Sequence, residues 1–135
     1  QYWVREVMNR MYKNHIRGLS GNDDCGQMSA WYLFTAMGFY PVCPGTDQYV
    51  LGAPYLPYLK ISLSNGKIFE IKAEGVSDKK RYVKSVRLNG VPYHKMYITH
   101  SDILKGGVLE FVMSASPNKK RGQELVDKPY SLTSR

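Results

Sequence analysis

Two adjacent carboxylates, Asp23 and Asp24, lie in the segment Gly-Asn-Asp-Asp-Cys-Gly at residues 21–26, directly before a strongly apolar stretch. A helix that begins here presents free backbone amides and a partial positive charge, which keep nearby carboxylates ionised and fixed. A fixed, ionised carboxylate is suited to act as a general base. The same position also suits a helix cap, because aspartate accepts hydrogen bonds from the first amides of a helix. The spacing alone leaves both roles open.

The oxygen donors of this segment also raise the question of calcium. Asn22, Asp23 and Asp24 are hard oxygen ligands, but the alternating ligand spacing and the closing glutamate of a calcium-binding EF-hand loop are absent. We therefore expect these residues at most to complete a calcium site that other segments share.

The two cysteines show no metal-binding pattern. Cys25 and Cys43 have no second Cys or His near them at the spacing of zinc ligands. Free, buried thiols are the favoured prediction, and a disulfide between the two remains the alternative.

Two helices are expected to position the acidic segment. Apolar residues recur at helical spacing from Tyr2 to about Arg17, with Arg5 on the polar side, and Gly18 ends the pattern. A second helix is predicted from Asp23 or Asp24 to about Met37, with Gln27 completing a capping box. This second helix is apolar nearly all round, so it must be packed on several sides, which two helices alone cannot do.

After the second helix, the predicted secondary structure changes twice along the chain. An irregular, aromatic loop is predicted to about residue 58, where several prolines interrupt any regular structure. From Leu59 the apolar residues alternate, and Asn65-Gly66 and Asn89-Gly90 predict hairpin turns, the first of type I′. The predicted fold class is α+β: two N-terminal helices followed by an antiparallel β-rich unit. The predicted boundary divides the chain into residues 1–58 and 59–135.

The net charge of +8 lies entirely in the second region, because residues 1–58 hold four basic and four acidic residues. Most basic residues fall on the outward positions of the predicted strands, so a solvated face is favoured over a site for a polyanion. We therefore expect no nucleic-acid partner. No apolar run approaches the roughly 18 residues that a membrane span requires. The chain opens Gln-Tyr-Trp without a signal-peptide pattern, and we expect it to be part of something larger.

Two segments of the sequence stand out together. They are residues 21–45, which run from Gly-Asn-Asp-Asp-Cys-Gly to Tyr-Pro-Val-Cys-Pro-Gly, and residues 49–54, Tyr-Val-Leu-Gly-Ala-Pro. Both resemble the C-terminal part of glycoside hydrolase family 92. The likeness continues through residues 98–100, 106–107 and 114–118. That family comprises bacterial, calcium-dependent, inverting exo-α-mannosidases in which a β-sandwich precedes an (α/α)6 barrel. The resemblance implies that the two predicted helices are the end of that barrel.

The resemblance also implies roles for the acidic residues. Asp24 matches the position of the general base, with Asp23 as the second candidate. The general acid of the family is a glutamate on an earlier barrel segment, and no glutamate here lies in a matching motif (Glu6, Glu70, Glu74, Glu110 and Glu124). The acid and most of the Ca2+ ligands are therefore expected outside this chain.

The remaining implications concern the whole enzyme. Its substrates would be mannose-containing glycans, and α-1,2 linkages are the commonest in close relatives. The enzyme would be located in the periplasm, at the cell surface or in the medium. The partner of this chain would be the N-terminal remainder of the same enzyme, and the chain alone is expected to be inactive. The alternative function is a non-catalytic carbohydrate-binding or interaction module, which the aromatic loop and the β-rich second half favour.

Overall fold

Helices open the chain and strands dominate the remainder in the computed structural model, which describes residues 1–133. The α+β class predicted from the sequence is confirmed. The helices are α1 Tyr2–Met11, α2 Gln27–Met37 and α3 His100–Leu104, with a 3-10 turn at Leu125–Asp127. The strands are β1 Phe39–Tyr40, β2 Gln48–Leu51, β3 Tyr58–Ser62, β4 Ile68–Lys72, β5 Tyr82–Leu88, β6 Val91–Pro92, β7 Tyr97–Thr99 and β8 Gly107–Ser114.

Helix α1 is shorter than its predicted extent to about Arg17. Tyr12 already has an extended backbone and forms an isolated bridge with Leu19. The amide of Lys13 donates to the carbonyl of Gly18 at 2.9 Å, which closes a loop in place of further helical turns. The only large apolar side chain between them, Ile16, is 95% exposed. Beyond Met11, therefore, no apolar face remains that would hold a helix against the core.

Helix α2 begins at Gln27, so the prediction of a start at Asp23 or Asp24 was wrong. Its N-cap is Gly26, with a φ of 97°, and no side chain caps the helix from that position. The predicted capping box does not form, because Gln27 contacts Asp24 through its backbone amide and the Asp24 carbonyl at 3.3 Å. The left-handed backbone of residues 24–26 prevents an earlier helical start.

Two short strands lie inside the region that was predicted to be an irregular aromatic loop. Strands β1, β2 and β7 form a three-stranded antiparallel sheet in the order β1-β2-β7. Its central strand pairs with β7, so Gln48 lies opposite Thr99. A partner that lies about fifty residues further along the chain leaves no local signal in the sequence. The pairing also joins residues on both sides of position 58.

The second sheet has five strands in the order β3-β4-β8-β5-β6. Three of its four strand pairs are antiparallel, as predicted, and β4 with β8 is the parallel pair that makes the sheet mixed. The chain between these two strands contains β5 to β7 and α3, which is long enough for the crossover that a parallel pair requires.

The two Asn-Gly turns differ. Asn89 and Gly90 both have positive φ, 52° and 79°, which is the type I′ geometry of a two-residue hairpin. At the first turn only Gly66 has a positive φ, of 80°, so the type I′ prediction for Asn65-Gly66 was wrong. The amide of Leu63 donates to the carbonyl of Lys67, which encloses a three-residue loop with glycine at its left-handed position.

The core lies between the two sheets and leaves α2 largely uncovered. Phe69, Ile71, Ile98 and Leu109 are completely buried, and one cluster joins them to residues of both sheets. In α2, by contrast, only Thr35 and Ala36 are buried, and Leu33 is 63% exposed. The apolar surface predicted to be packed on several sides is therefore covered on one side within residues 1–133. Among residues 1–133, every helix is too short or too polar to span a bilayer.

Candidate active-site loop

The loop at residues 21–26 has an uncommon backbone conformation. Four of its residues have positive φ: Gly21 at 115°, Asp24 at 49°, Cys25 at 59° and Gly26 at 97°. Glycine adopts such values freely, whereas a residue with a side chain does so at a cost, which aspartate tolerates better than most. Backbone conformations of this kind cluster at functional sites. The loop is thus a candidate site on the grounds of its backbone as well as its carboxylates.

Asp23 is bound to helix α2 through its side chain. Its Oδ1 atom accepts a hydrogen bond from the backbone amide of Ser29 at 2.9 Å and another from the Ser29 hydroxyl at 3.0 Å. Its backbone carbonyl accepts from the amide of Met28 at 3.2 Å. Asp23 therefore satisfies amides of the first turn from a position three residues before the N-cap.

Asp24 is held by its backbone and free at its carboxylate. Its amide donates to the Asn22 side chain at 3.2 Å, and its carbonyl accepts from the amide of Gln27. The side chain is exposed, and no group within residues 1–133 donates a hydrogen bond to its carboxylate. An exposed carboxylate on a fixed backbone is able to take a proton from a bound water molecule.

A groove lined by Tyr12, Ser29, Tyr32 and Leu33, with a volume of 430 Å³, lies beside the start of α2. Tyr12 packs against Trp31 and Tyr32 with ring centroids 5.6 and 4.9 Å apart, and its hydroxyl donates to the carbonyl of Met28 at 3.1 Å. Burial, reinforced by the charge of Asp23, raises the pKa of Tyr12 and keeps its hydroxyl protonated. Aromatic side chains of this kind are able to stack on sugar rings.

Two glutamates are bound in ways that keep them ionised. Glu6 forms ion pairs with Arg81 and Arg10, each at 2.7 Å, and the bond from Arg81 is the main cause of its lowered pKa. Glu70 accepts a hydrogen bond from the Tyr58 hydroxyl at 2.7 Å, which likewise lowers its pKa. A general acid needs a raised pKa, so neither glutamate fits that role.

The donor atoms of the loop do not form a complete calcium site. Oδ1 of Asp23 and the side-chain oxygen of Asn22 already accept hydrogen bonds from the protein. Among the described side chains, no three His, Cys, Asp or Glu residues come together in a way that would hold a metal ion. Calcium requires six to eight oxygen ligands, so the residues present do not fit a self-contained site.

The cysteines are both free thiols, which agrees with the favoured prediction over the disulfide. The prediction that both thiols are buried was wrong, because Cys25 is exposed and Cys43 is half-buried. Cys25 is exposed because it lies in the left-handed part of the loop, one residue before the N-cap of α2.

Two residues, Ser29 beside the loop and Arg5 in α1, have contacts that the sequence did not predict. Ser29 lies inside the apolar helix, and only the fold shows that it holds Asp23. Arg5 was predicted on the polar side of α1 but is 4% exposed, donates to the carbonyl of Pro54 at 2.8 Å and lies 4.5 Å above the ring of Tyr55. The helical spacing of apolar residues in α1 does not reveal that Pro54 and Tyr55 cover the opposite side of this helix.

The comparisons with known proteins agree with one another. Residues 1–115 match the glycosyl hydrolase family 92 catalytic domain. A family GH92 α-mannosidase from Bacteroides thetaiotaomicron, solved with mannoimidazole, superposes with a TM-score of 0.91 and 46% identity over 96% of this chain and 17% of that one. An inverting GH92 mannosidase from the same organism gives a TM-score of 0.90 and 40% identity over 96% of this chain and 18% of that one.

A curated relative, an uncharacterised secreted glycosidase of Arthroderma benhamiae, is 31% identical over 105 residues, which are 76% of this chain and 14% of that protein. The family match covers most of the chain, and the chain therefore belongs to glycosyl hydrolase family 92. It spans about a sixth of the length of the proteins that it matches.

Proposed function

We propose that this chain is the C-terminal segment of an inverting exo-α-mannosidase and that Asp24 is its general base. The observation that carries the proposal is the contrast between two neighbouring carboxylates. The carboxylate of Asp23 is engaged by Ser29, whereas the carboxylate of Asp24 is exposed and accepts no hydrogen bond within residues 1–133. Asp24 would take a proton from the water molecule that attacks the anomeric carbon.

The general acid of this reaction would lie outside the chain. In an inverting glycosidase the acid protonates the leaving oxygen, and the base activates water on the opposite face of the sugar. The two carboxyl groups lie about 6.5–9.5 Å apart. Asp23 adjoins Asp24 and is bound to Ser29, and Glu6 and Glu70 are bound to donors that keep them ionised. A carboxyl group from an earlier part of the enzyme fits the role better.

The uncovered apolar surface supports a larger domain around α1 and α2. Trp3 is 76% exposed, Leu33 63% and Val42 62%. A surface of this kind is expected where further helices pack. The matched mannosidases, roughly six times longer than this chain, provide room for such helices.

The finer properties follow from the family resemblance. The substrates would be mannose-containing glycans with terminal α-1,2-linked mannose. The intact enzyme would require Ca2+, with most ligands outside the chain, and we derive no catalytic step through the ion. A periplasmic, cell-surface or secreted location is proposed, and the secreted relative supports export.

The test is to replace Asp24 by Asn in the intact enzyme and to supply azide. The loss of a general base costs on the order of 10² to 10⁴ in kcat. Azide is already an anion and needs no deprotonation, so it should restore turnover and yield β-mannosyl azide, the product of inversion. Asp47→Asn is a matched control, because Asp47 is also an exposed loop aspartate.

The outcomes separate the candidates clearly. Rescue of Asp23→Asn but not of Asp24→Asn would transfer the base to Asp23. Full activity of both variants would refute a catalytic role for the loop and would favour the non-catalytic carbohydrate-binding module.

A further inference from the structure

A pocket of 270 Å³ lies between strand β5, the residues that follow β6 and the segment 118–121. Its lining includes four basic side chains, Lys84, His94, Lys120 and Arg121, and no carboxylate. None of the lining residues belongs to the candidate active-site loop, so the pocket has no part in the proposed catalytic step. A cavity with this composition is electrostatically suited to an anion.

The two sequence segments that contribute the lining residues are rich in basic residues, and three of these, Lys84, Lys120 and Arg121, line the pocket itself. Residues 79–96 and 115–123 contain nine Lys and Arg residues and no Asp or Glu, which exceeds the net charge of +8 of the whole chain. Within residues 1–133, Arg81 is the only one of the nine that forms an ion pair. Lys84, Lys120 and Arg121 therefore lack a carboxylate partner within 4.0 Å among the described residues.

Asn118 fixes the backbone around two of the lysines. The pairing of β5 with β8 shifts register between Val83 and Ser85, which places Lys84 at a bulge. The Asn118 side chain donates to the carbonyl of Lys84 at 2.7 Å and accepts from the amide of Lys120 at 3.0 Å. A bulge redirects side chains relative to the regular strand, and such features recur beside functional sites.

Arg121 contributes a cation that the protein only partly satisfies. Its Nη2 atom donates to the carbonyl of Lys95 at 2.7 Å, but its Nε is buried without an acceptor in the described part of the chain. Burial lowers the pKa of Arg121, and Asp127 opposes this only from beyond ion-pair distance. A nearby anion would compensate a positive charge that is costly to leave unpaired.

Tyr93 lies in the same lining and is half-buried, with part of its side chain packed against the core. Burial raises the pKa of Tyr93 to about 12, so its hydroxyl keeps its proton under all physiological conditions. Neutral hydroxyls and amides commonly complete anion sites that lysine and arginine begin.

We propose that Lys84, His94, Lys120 and Arg121 form a binding site for a tetrahedral oxyanion, a sulfate or phosphate group. This proposal goes beyond the proposed mannosidase function and does not depend on it. The group would be an ester on a carbohydrate or the free ion. The pocket volume of 270 Å³ exceeds that of one tetrahedral oxyanion, which leaves room for a carbohydrate that carries the group as an ester.

The experiment is a calorimetric titration of the intact enzyme at low ionic strength with four probes: inorganic sulfate, inorganic phosphate, a sulfated heparin disaccharide and its unsulfated counterpart. Saturable binding of the first three and none of the fourth is expected. Lys84→Ala and Lys120→Ala should each weaken binding about tenfold, as expected for one charge-assisted hydrogen bond. Both side chains are exposed, so unchanged thermal unfolding should accompany the loss.

Lys60→Ala is the matched control, with the same change of charge on β3 at the opposite edge of the sheet. It should leave binding unchanged. Tighter binding of the sulfated disaccharide than of sulfate would identify an ester as the ligand, and equal binding would identify the free ion. Absence of saturable binding, or an equal loss in Lys60→Ala, would overturn the site. Tighter binding of duplex DNA than of any probe would overturn it in favour of a nucleic-acid surface.

Discussion

Ser29 donates two hydrogen bonds to one oxygen of Asp23, from its backbone amide at 2.9 Å and from its hydroxyl at 3.0 Å. This contact distinguishes the two neighbouring carboxylates of the loop by their hydrogen bonds. The side chain of Asp23 accepts hydrogen bonds from the first turn of α2, whereas the side chain of Asp24 is exposed to solvent. The capping role and the general-base role, which the sequence leaves open for both residues, thereby fall to different residues in our proposal.

The first prediction concerns this contact. Asp23→Ala in the intact enzyme should lower the free energy of unfolding by about 1 kcal/mol, the usual cost of losing a side-chain cap. Ser29→Ala should cost less, because the backbone amide of residue 29 still donates to Asp23. Thermal unfolding measures both effects. A smaller loss for Asp23→Ala than for Asp24→Ala would contradict the assignment of the cap.

The second prediction concerns the left-handed backbone at Cys25, whose φ is 59°. A β-branched residue is a strong outlier at such values, and the left-handed conformation costs an ordinary residue roughly 1–2 kcal/mol. Cys25→Val should therefore be less stable than Cys25→Gly by about that amount. The comparison is made by denaturant unfolding of the two variants, which both remove the thiol. Equal stabilities would mean that the loop does not hold residue 25 in this conformation.

The loop also shows what sequence reasoning can and cannot reach. Its position before an apolar helix, and the α+β class, follow from residue types and periodicity. The start of α2 does not, because the carboxylates that resemble an N-cap lie before a left-handed turn that begins at Asp24. Likewise, the burial of Arg5 depends on Pro54 and Tyr55, about fifty residues away. Contacts of this range leave no trace in local patterns.

The third prediction concerns the ion pair of Glu6 with Arg81, which connects α1 to the start of β5 at 2.7 Å. The pKa of Glu6 is lowered from 4.5 in the folded protein, so the unfolded chain binds the proton more readily. The stabilisation is therefore complete above pH 4.5 and is lost as the pH falls through the folded pKa. Glu6→Gln should destabilise the enzyme at pH 6.

The same variant should differ little from the parent in strong acid, where Glu6 is protonated. Urea unfolding at several pH values measures the difference between them. Because the pair is partly exposed, added salt should reduce that difference at pH 6. A destabilisation that stays constant from neutral to strongly acidic pH would show that Glu6 acts through packing instead of charge.

The fourth prediction concerns Arg5, which is buried against Tyr55 and donates to the carbonyl of Pro54. Arg5→Ala removes both contacts and leaves a buried carbonyl without its donor, so we expect a loss of about 2–3 kcal/mol. Arg5→Lys keeps the charge but loses the planar stacking, and should recover only part of the stability. Arg10→Ala, at an exposed position of the same helix, is the control and should change the stability by less than about 1 kcal/mol.

The last prediction concerns the 135-residue chain expressed alone. It should hydrolyse neither aryl α-mannosides nor α-mannobiose, because in our proposal the general acid lies outside the chain, and one carboxylate alone supplies little stabilisation of the transition state. Trp3, Leu33 and Val42 would face water, so the chain should also associate and bind an apolar dye. Assays at high protein concentration and light scattering test these two expectations.

A double variant, Trp3→Ser with Leu33→Ser, serves to separate the two effects. It should reduce association, since it removes one exposed apolar side chain from each of α1 and α2, and it should remain inactive. Turnover by the isolated chain, abolished by Asp24→Asn, would show that the acid lies within these 135 residues after all. In that event the general acid would have to be sought among Glu74, Glu110 and Glu124, the glutamates for which the structure shows no ion pair among its described residues.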